Sequence, residues 1–167
     1  MTTDSSRGLL IAILAVASVN LVVSVLQIGM LLQKPSTSTQ ASTPQGLPTK
    51  FTEAELAGIA RRVTEPFNRR DIDALYANLD DVAKNQLPRH KFADQLKEID
   101  SFIGKVDSAA YAGFQKLPGQ AGLDVYQLNY VVKLSGGRFN TGMMLINVID
   151  RPQAAGIVGF FINGRSQ

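Results

Sequence analysis

Only a few side chains in this 167-residue chain have the type and spacing for chemistry. His90, the only histidine, stands four residues before Asp94, so on a helix the two would share a face and offer a metal ion two ligands. Two ligands do not complete a site. Arg89 and Lys91 flank the histidine, and a solvated first helical turn is the plainer assignment. Tyr76, Tyr126 and Tyr130 form a second candidate set, because a phenol in an apolar cavity can donate to a developing oxyanion. No carboxylate shares their expected face except Asp124 at a strand edge, so a positioned base is missing. Packing as core aromatics with hydroxyls reaching the rim competes with the pocket assignment. The chain has no cysteine, which removes disulfides, thiolate metal sites, a cysteine nucleophile and a lipid-modified cysteine. Ser135-Gly136-Gly137-Arg138 reads as turn chemistry, and neither a Gly-rich phosphate loop nor a Ser-His-Asp set is visible. No catalytic, cofactor-binding or metal-binding residue is assigned, and no cofactor is expected.

Charge excludes a further class. The formal net charge of +3 is uneven: from Phe51 onward there are 14 Lys/Arg against 13 Asp/Glu, a balance of +1. The basic pairs Arg61-Arg62 and Arg69-Arg70 have Glu65, Asp71 and Asp73 close by. A nucleic-acid-binding domain would show a basic stripe, so nucleic acid is not an expected partner.

The elements that position these residues begin with a membrane segment. Residues 8–32, GLLIAILAVASVNLVVSVLQIGMLL, carry no charge and are bracketed by Arg7 and Lys34. As a helix rising about 1.5 Å per residue the segment would be roughly 37 Å long, enough for a hydrocarbon core of about 30 Å with some tilt. The run exceeds the roughly 7–15 apolar residues of a cleaved signal peptide, so an uncleaved anchor in contact with membrane lipid is expected. Asn20 and Gln27 lie seven residues apart on one face, where amides in lipid tend to find a partner helix. Residues 1–7 form a short tail. Residues 33–50 are rich in Ser, Thr, Pro and Gln and read as a disordered spacer. A short tail before a large domain suits a single-pass inner-membrane protein with its N-terminus cytoplasmic and its domain extracytoplasmic.

Residues 51–167 then read as one α+β domain. Thr52 and Glu55 make a capping box, and Leu56, Ile59, Ala60, Val63 and Phe67 form one helical stripe that Pro66 should bend near its end. Asp71 opens a second helix with Ile72, Leu75, Tyr76 and Leu79 inward. Pro88 opens a third with Phe92, Leu96, Ile99 and Ile103 inward. After Gly104 the period changes from 3.6 to 2. Four strands are expected at Val106–Leu117, Leu123–Leu134, Arg138–Ile149 and Gly156–Asn163, with a Pro118-Gly119 turn and a Gly136-Gly137 hairpin.

Short motifs carry a family likeness. They are Ile103-Gly104-Lys105-Val106, Lys116-Leu117-Pro118-Gly119, Tyr126-Gln127-Leu128-Asn129-Tyr130 and the terminal Gly159-Phe160-Phe161-Ile162. In the helical half, Phe67-Asn68-Arg69-Arg70-Asp71 leads to Leu75-Tyr76. Over about residues 51–164 the chain resembles bacterial exported domains of unknown function in the nuclear-transport-factor-2-like, or cystatin-like, superfamily. The resemblance implies three helices packed on a curved four-stranded antiparallel sheet that can enclose a pocket; it implies little about function.

The sheet itself points beyond a lone globule. Phe139, Met143, Leu145 and Ile149 are expected on one face of the third strand, with Met144, Ile146 and Val148 on the other. On the fourth, Ile157 and Phe161 oppose Val158, Phe160 and Ile162. Helices can cover only one face, and a free antiparallel face should read polar. Phe139, Met143, Leu145, Ile157 and Phe161 are therefore candidate interface residues. The expected function is a membrane-tethered, non-enzymatic interaction module, either an accessory or assembly subunit of a membrane complex or a homodimer. The alternative is a pocket for a small apolar ligand lined by Tyr76, Tyr126 and Tyr130, with isomerase-like activity as its furthest form.

Overall fold

A computed structural model describes residues 50–118 and 123–165. The expected tail, anchor and most of the spacer, and the tip of the first hairpin, lie outside the described residues. Among those described, no helix is long and apolar enough to cross a membrane. The domain is α+β: α1 (Glu53–Asn68), α2 (Ile72–Ala77), α3 (Asp81–Gln86) and α4 (Arg89–Ile103) precede β1 (Lys105–Leu117), β2 (Val125–Ser135), β3 (Thr141–Ile149) and β4 (Gly156–Arg165). The strands form one antiparallel sheet in the order β1-β2-β3-β4.

Local chemistry sets the helix starts. Thr52 Oγ1 accepts from the Glu55 N–H at 3.3 Å, and Glu55 Oε2 accepts from the Thr52 N–H at 2.7 Å, which completes the capping box. Asp71 caps α2 by accepting from the Ala74 N–H. Asp80 caps α3 by accepting from the Val82 N–H. The third element is the first departure from expectation: among the described residues four helices stand where three were expected in the domain. α3 has six residues and buries only Ala83, too short and too polar to show a helical period.

Pro66 lies inside α1, buried. Lacking an N–H, it leaves the Arg62 carbonyl without its helical donor. The Asn78 side-chain amide takes that place, donating to Arg62 O at 2.8 Å, while the Arg62 guanidinium donates back to Asn78 O at 3.0 Å and to Ala155 O at 2.9 Å. The carbonyl that Pro66 leaves free thus ties α1 to the end of α2, and the Arg62 side chain ties it to the loop before β4.

The core lies between the helices and one face of the sheet. Leu56, Ile59, Val63, Phe67, Leu75, Phe92, Leu96 and Ile99 meet Leu128, Tyr130, Val132, Met144, Ile146, Phe160 and Ile162 there. β1 has register shifts after Val106 and after Tyr111, and β4 has one where Val158 is left without a partner opposite Asn147 and Val148. Such bulges bend and twist a strand. They also break the period of 2, which is why β1 alternates only loosely.

Both sheet edges are partly occupied. Asn68 of α1 donates from its amide to Val106 O and accepts from the Val106 N–H, each at 2.8 Å. At the other edge Leu79 bridges Ile157, and the Asp80 N–H donates to Ile157 O at 2.7 Å. Arg151 reinforces that junction with two hydrogen bonds to Asp80.

Candidate functional site

The three tyrosines do not converge on a cavity. Tyr130 is buried, and its hydroxyl donates to Leu56 O at 2.9 Å. Burial pushes its phenol far above the ordinary range. Tyr76 donates to Leu87 O at 3.1 Å between α2 and α3. Tyr126 stacks edge-on against Phe51 at 5.6 Å, with its hydroxyl 3.5 Å from Asp124 at the far end of the sheet. Two hydroxyls are thus spent on backbone carbonyls and none is aimed at a common point. Tyr111 comes closest to a free phenol: it stacks on Tyr130 at 5.8 Å, burial raises its pKa, and its hydroxyl has no partner among the described residues. His90 and Asp94 are both exposed on α4, and the described residues contain no group of three or more potential metal ligands.

The candidate interface residues divide. Met143, Leu145 and Phe161 lie on the sheet face away from the helices. Pairing places Val131 beside Met143, and Asn129, Leu145 and Phe161 in the next row. Val131 is 49 % exposed, the most exposed large apolar side chain of the face, and the other three are half-buried. Above this apolar band Lys133, Thr141 and Arg165 form one row. Below it Gln115, Gln127 and Asn147 form another, in which Gln127 donates to Asn147 at 3.3 Å.

Ile157 and Phe139 are corrections. The bulge at Val158 reverses the phase of β4, so Ile157 pairs with Val148 and is 1 % exposed on the helix side. β3 begins at Thr141 rather than Arg138, because the Arg138 N–H donates to Phe102 O at 2.9 Å and its guanidinium lies over the Phe102 ring at 4.6 Å. That connection turns Phe139 inward across Gly164, beside Ile99 and Ile103 of α4. A Cβ at Gly164 would collide with the Phe139 ring. Val131 was not anticipated as part of the outer band. Its signal lay in the opposite phase of β2, where Gln127, Asn129 and Lys133 surround it with polar residues.

No family model, no curated protein and no solved structure matches the chain.

Proposed function

We propose that this chain is a membrane-tethered, non-enzymatic interaction module of the nuclear-transport-factor-2-like superfamily. It works as an accessory or assembly subunit of an inner-membrane complex or as a homodimer. The observation that carries the reading is the outer band of Val131, Met143, Leu145 and Phe161, contiguous across three strands and covered by no helix among the described residues. An uncovered antiparallel face would otherwise be polar. The spacer and the apolar segment 8–32 supply the tether, which holds the domain on the extracytoplasmic side.

A second copy fits the pattern of the face. If two sheets pack with opposed strand directions, Lys133 and Arg165 of one copy fall over the uncharged Gln127 and Asn147 row of the other, and like charges do not meet. The footprint is small. Four strands about 4.8 Å apart and four rows about 6.8 Å apart cover on the order of 500 Å² per partner, below the roughly 800 Å² of a stable interface. Such a contact needs the concentration that a shared membrane provides, and pairing of anchors through Asn20 and Gln27 would add to it.

The test places a photo-crosslinking residue at position 143 of the full chain in membranes, with position 91 on the exposed side of α4 as control. Crosslinking from position 143 to a second copy supports the homodimer; crosslinking to another membrane protein supports the accessory subunit. Leu145→Glu should abolish the crosslink and leave the melting temperature within a few degrees, whereas Tyr130→Glu should unfold the domain, because a buried unpaired charge costs several kcal/mol. Unfolding by Leu145→Glu, or no more crosslinking from 143 than from 91, would refute the interface.

A further inference from the structure

A cleft of about 140 Å³ opens where the end of α1 meets α2 and α4, and no strand residue lines it. Phe67, Leu75 and Leu96 form its floor, all within the buried core, and Ile72 forms a half-buried wall. Arg70, Lys97 and Asp100 stand at its mouth. It therefore differs both from the expected tyrosine pocket and from the outer sheet face.

The mouth has a defined electrostatic arrangement. Arg70 has φ 55°, the left-handed region that few non-glycine residues adopt, directly after α1 ends. Its N–H donates to Phe67 O, and the next N–H, of Asp71, donates to Pro66 O at 2.9 Å. This turn sends the Arg70 side chain across to α4, where Nε donates to Asp100 at 2.7 Å. Only Nε is spent, so the two terminal nitrogens remain available for a second acceptor. Lys97, one turn before Asp100, is 72 % exposed, and its nearest anion is Asp94 at 3.8 Å. Two cations and one carboxylate thus surround an apolar floor. An apolar protein cavity of about 150 Å³ takes up one benzene molecule, so the cleft has room for one six-membered ring and no long acyl chain.

We propose that the cleft binds a small amphipathic anion, a single-ring aromatic carboxylate. The ring rests on Phe67, Leu75 and Leu96. The carboxylate accepts from the terminal nitrogens of Arg70, which Asp100 holds in place through Nε, and Lys97 adds a second positive charge. An inorganic anion would leave the apolar floor unused, and a neutral ring would leave the cations unused.

Methyl-labelled full-length protein in lipid nanodiscs is titrated with benzoate, and with benzamide and acetate as neutral and ringless controls. Benzoate should shift the methyl signals of Ile72, Leu75 and Leu96 saturably, with a Kd on the order of 1–10 mM, as befits so small a ligand. Benzamide and acetate should each bind at least about tenfold more weakly, one for lack of charge and the other for lack of a ring. Arg70→Gln should weaken benzoate about tenfold and leave benzamide unchanged. Leu96→Trp should block both rings; if it lowers the melting temperature sharply, Ile72→Trp at the half-buried wall gives the same readout. The proposal is overturned by no saturable shift below about 20 mM benzoate, by benzamide binding as tightly as benzoate, or by shifts spread over the sheet instead of confined to the cleft. Loss of the position-143 crosslink would not affect this outcome, so the two proposals stand or fall separately.

Discussion

The Arg62 carbonyl offers a sharp test of how the helical layer is held. Pro66 cannot donate to it, and the Asn78 amide does so at 2.8 Å. Asn78→Ala should leave that part-buried carbonyl without a protein donor, at a cost of about 1–1.5 kcal/mol. Pro66→Ala restores an N–H in helical register with the same carbonyl. In that background Asn78→Ala should cost less than about 0.5 kcal/mol, so the double-mutant cycle should give a coupling of roughly 1 kcal/mol. The cycle cancels the packing change that Pro66→Ala makes on its own. Urea unfolding followed by far-UV circular dichroism on a fragment of residues 47–167 would measure it, and 1 kcal/mol corresponds to about 4 °C in melting temperature for a domain of this size. That fragment should itself unfold cooperatively, since α1 keeps its capping box and the fragment holds the whole core cluster from Phe51 to Ile162. Equal costs of Asn78→Ala in both backgrounds would mean that water satisfies the carbonyl and that the Pro66–Asn78 pairing is incidental.

Two other outcomes are expected. Asp80 is partly buried, which alone would raise its pKa; two hydrogen bonds from Arg151 and one from the Val82 N–H outweigh burial and hold it below the ordinary value of 3.8. A carboxylate with a depressed folded pKa contributes stability that is complete above its unfolded pKa and is lost as pH falls through the folded one. The melting temperature should therefore drop as pH falls below about 4, and Asp80→Asn should lower it at neutral pH while flattening that drop; a drop of unchanged size in Asp80→Asn would exclude the pair. Protease added to intact spheroplasts should remove the domain and leave the anchor, and complete protection until lysis would reverse the proposed orientation.

What the sequence determined was local. Thr52 and Glu55 are three residues apart, and their capping box needs nothing beyond its own turn. The stripes Leu56-Ile59-Val63-Phe67 and Phe92-Leu96-Ile99-Ile103 are all buried, because a helical period places each stripe on one face wherever the helix goes. The alternation of Tyr126 through Leu134 likewise survives into β2, because the extra residues of the β1–β2 pairing all lie on β1 and the pairing with β3 is in unbroken register.

Tertiary structure decided the phase of what followed. Ile157 reads as outward by counting back from Phe161, yet Leu79 and Asp80 bind the β4 edge at Ile157 and the extra residue Val158 turns it inward. Phe139 reads as the first outward residue of β3 until the contacts of Arg138 with Phe102 end the strand early and Gly164 leaves space for the ring. The cleft beside Arg70 joins residues from three elements, and the left-handed turn that creates its mouth has no glycine to announce it. Periodicity specifies which side chains share a face within one unbroken element. Where a bulge, a clamp or a turn shifts the count by one, the partner across the chain sets the phase, and that partner is distant in sequence.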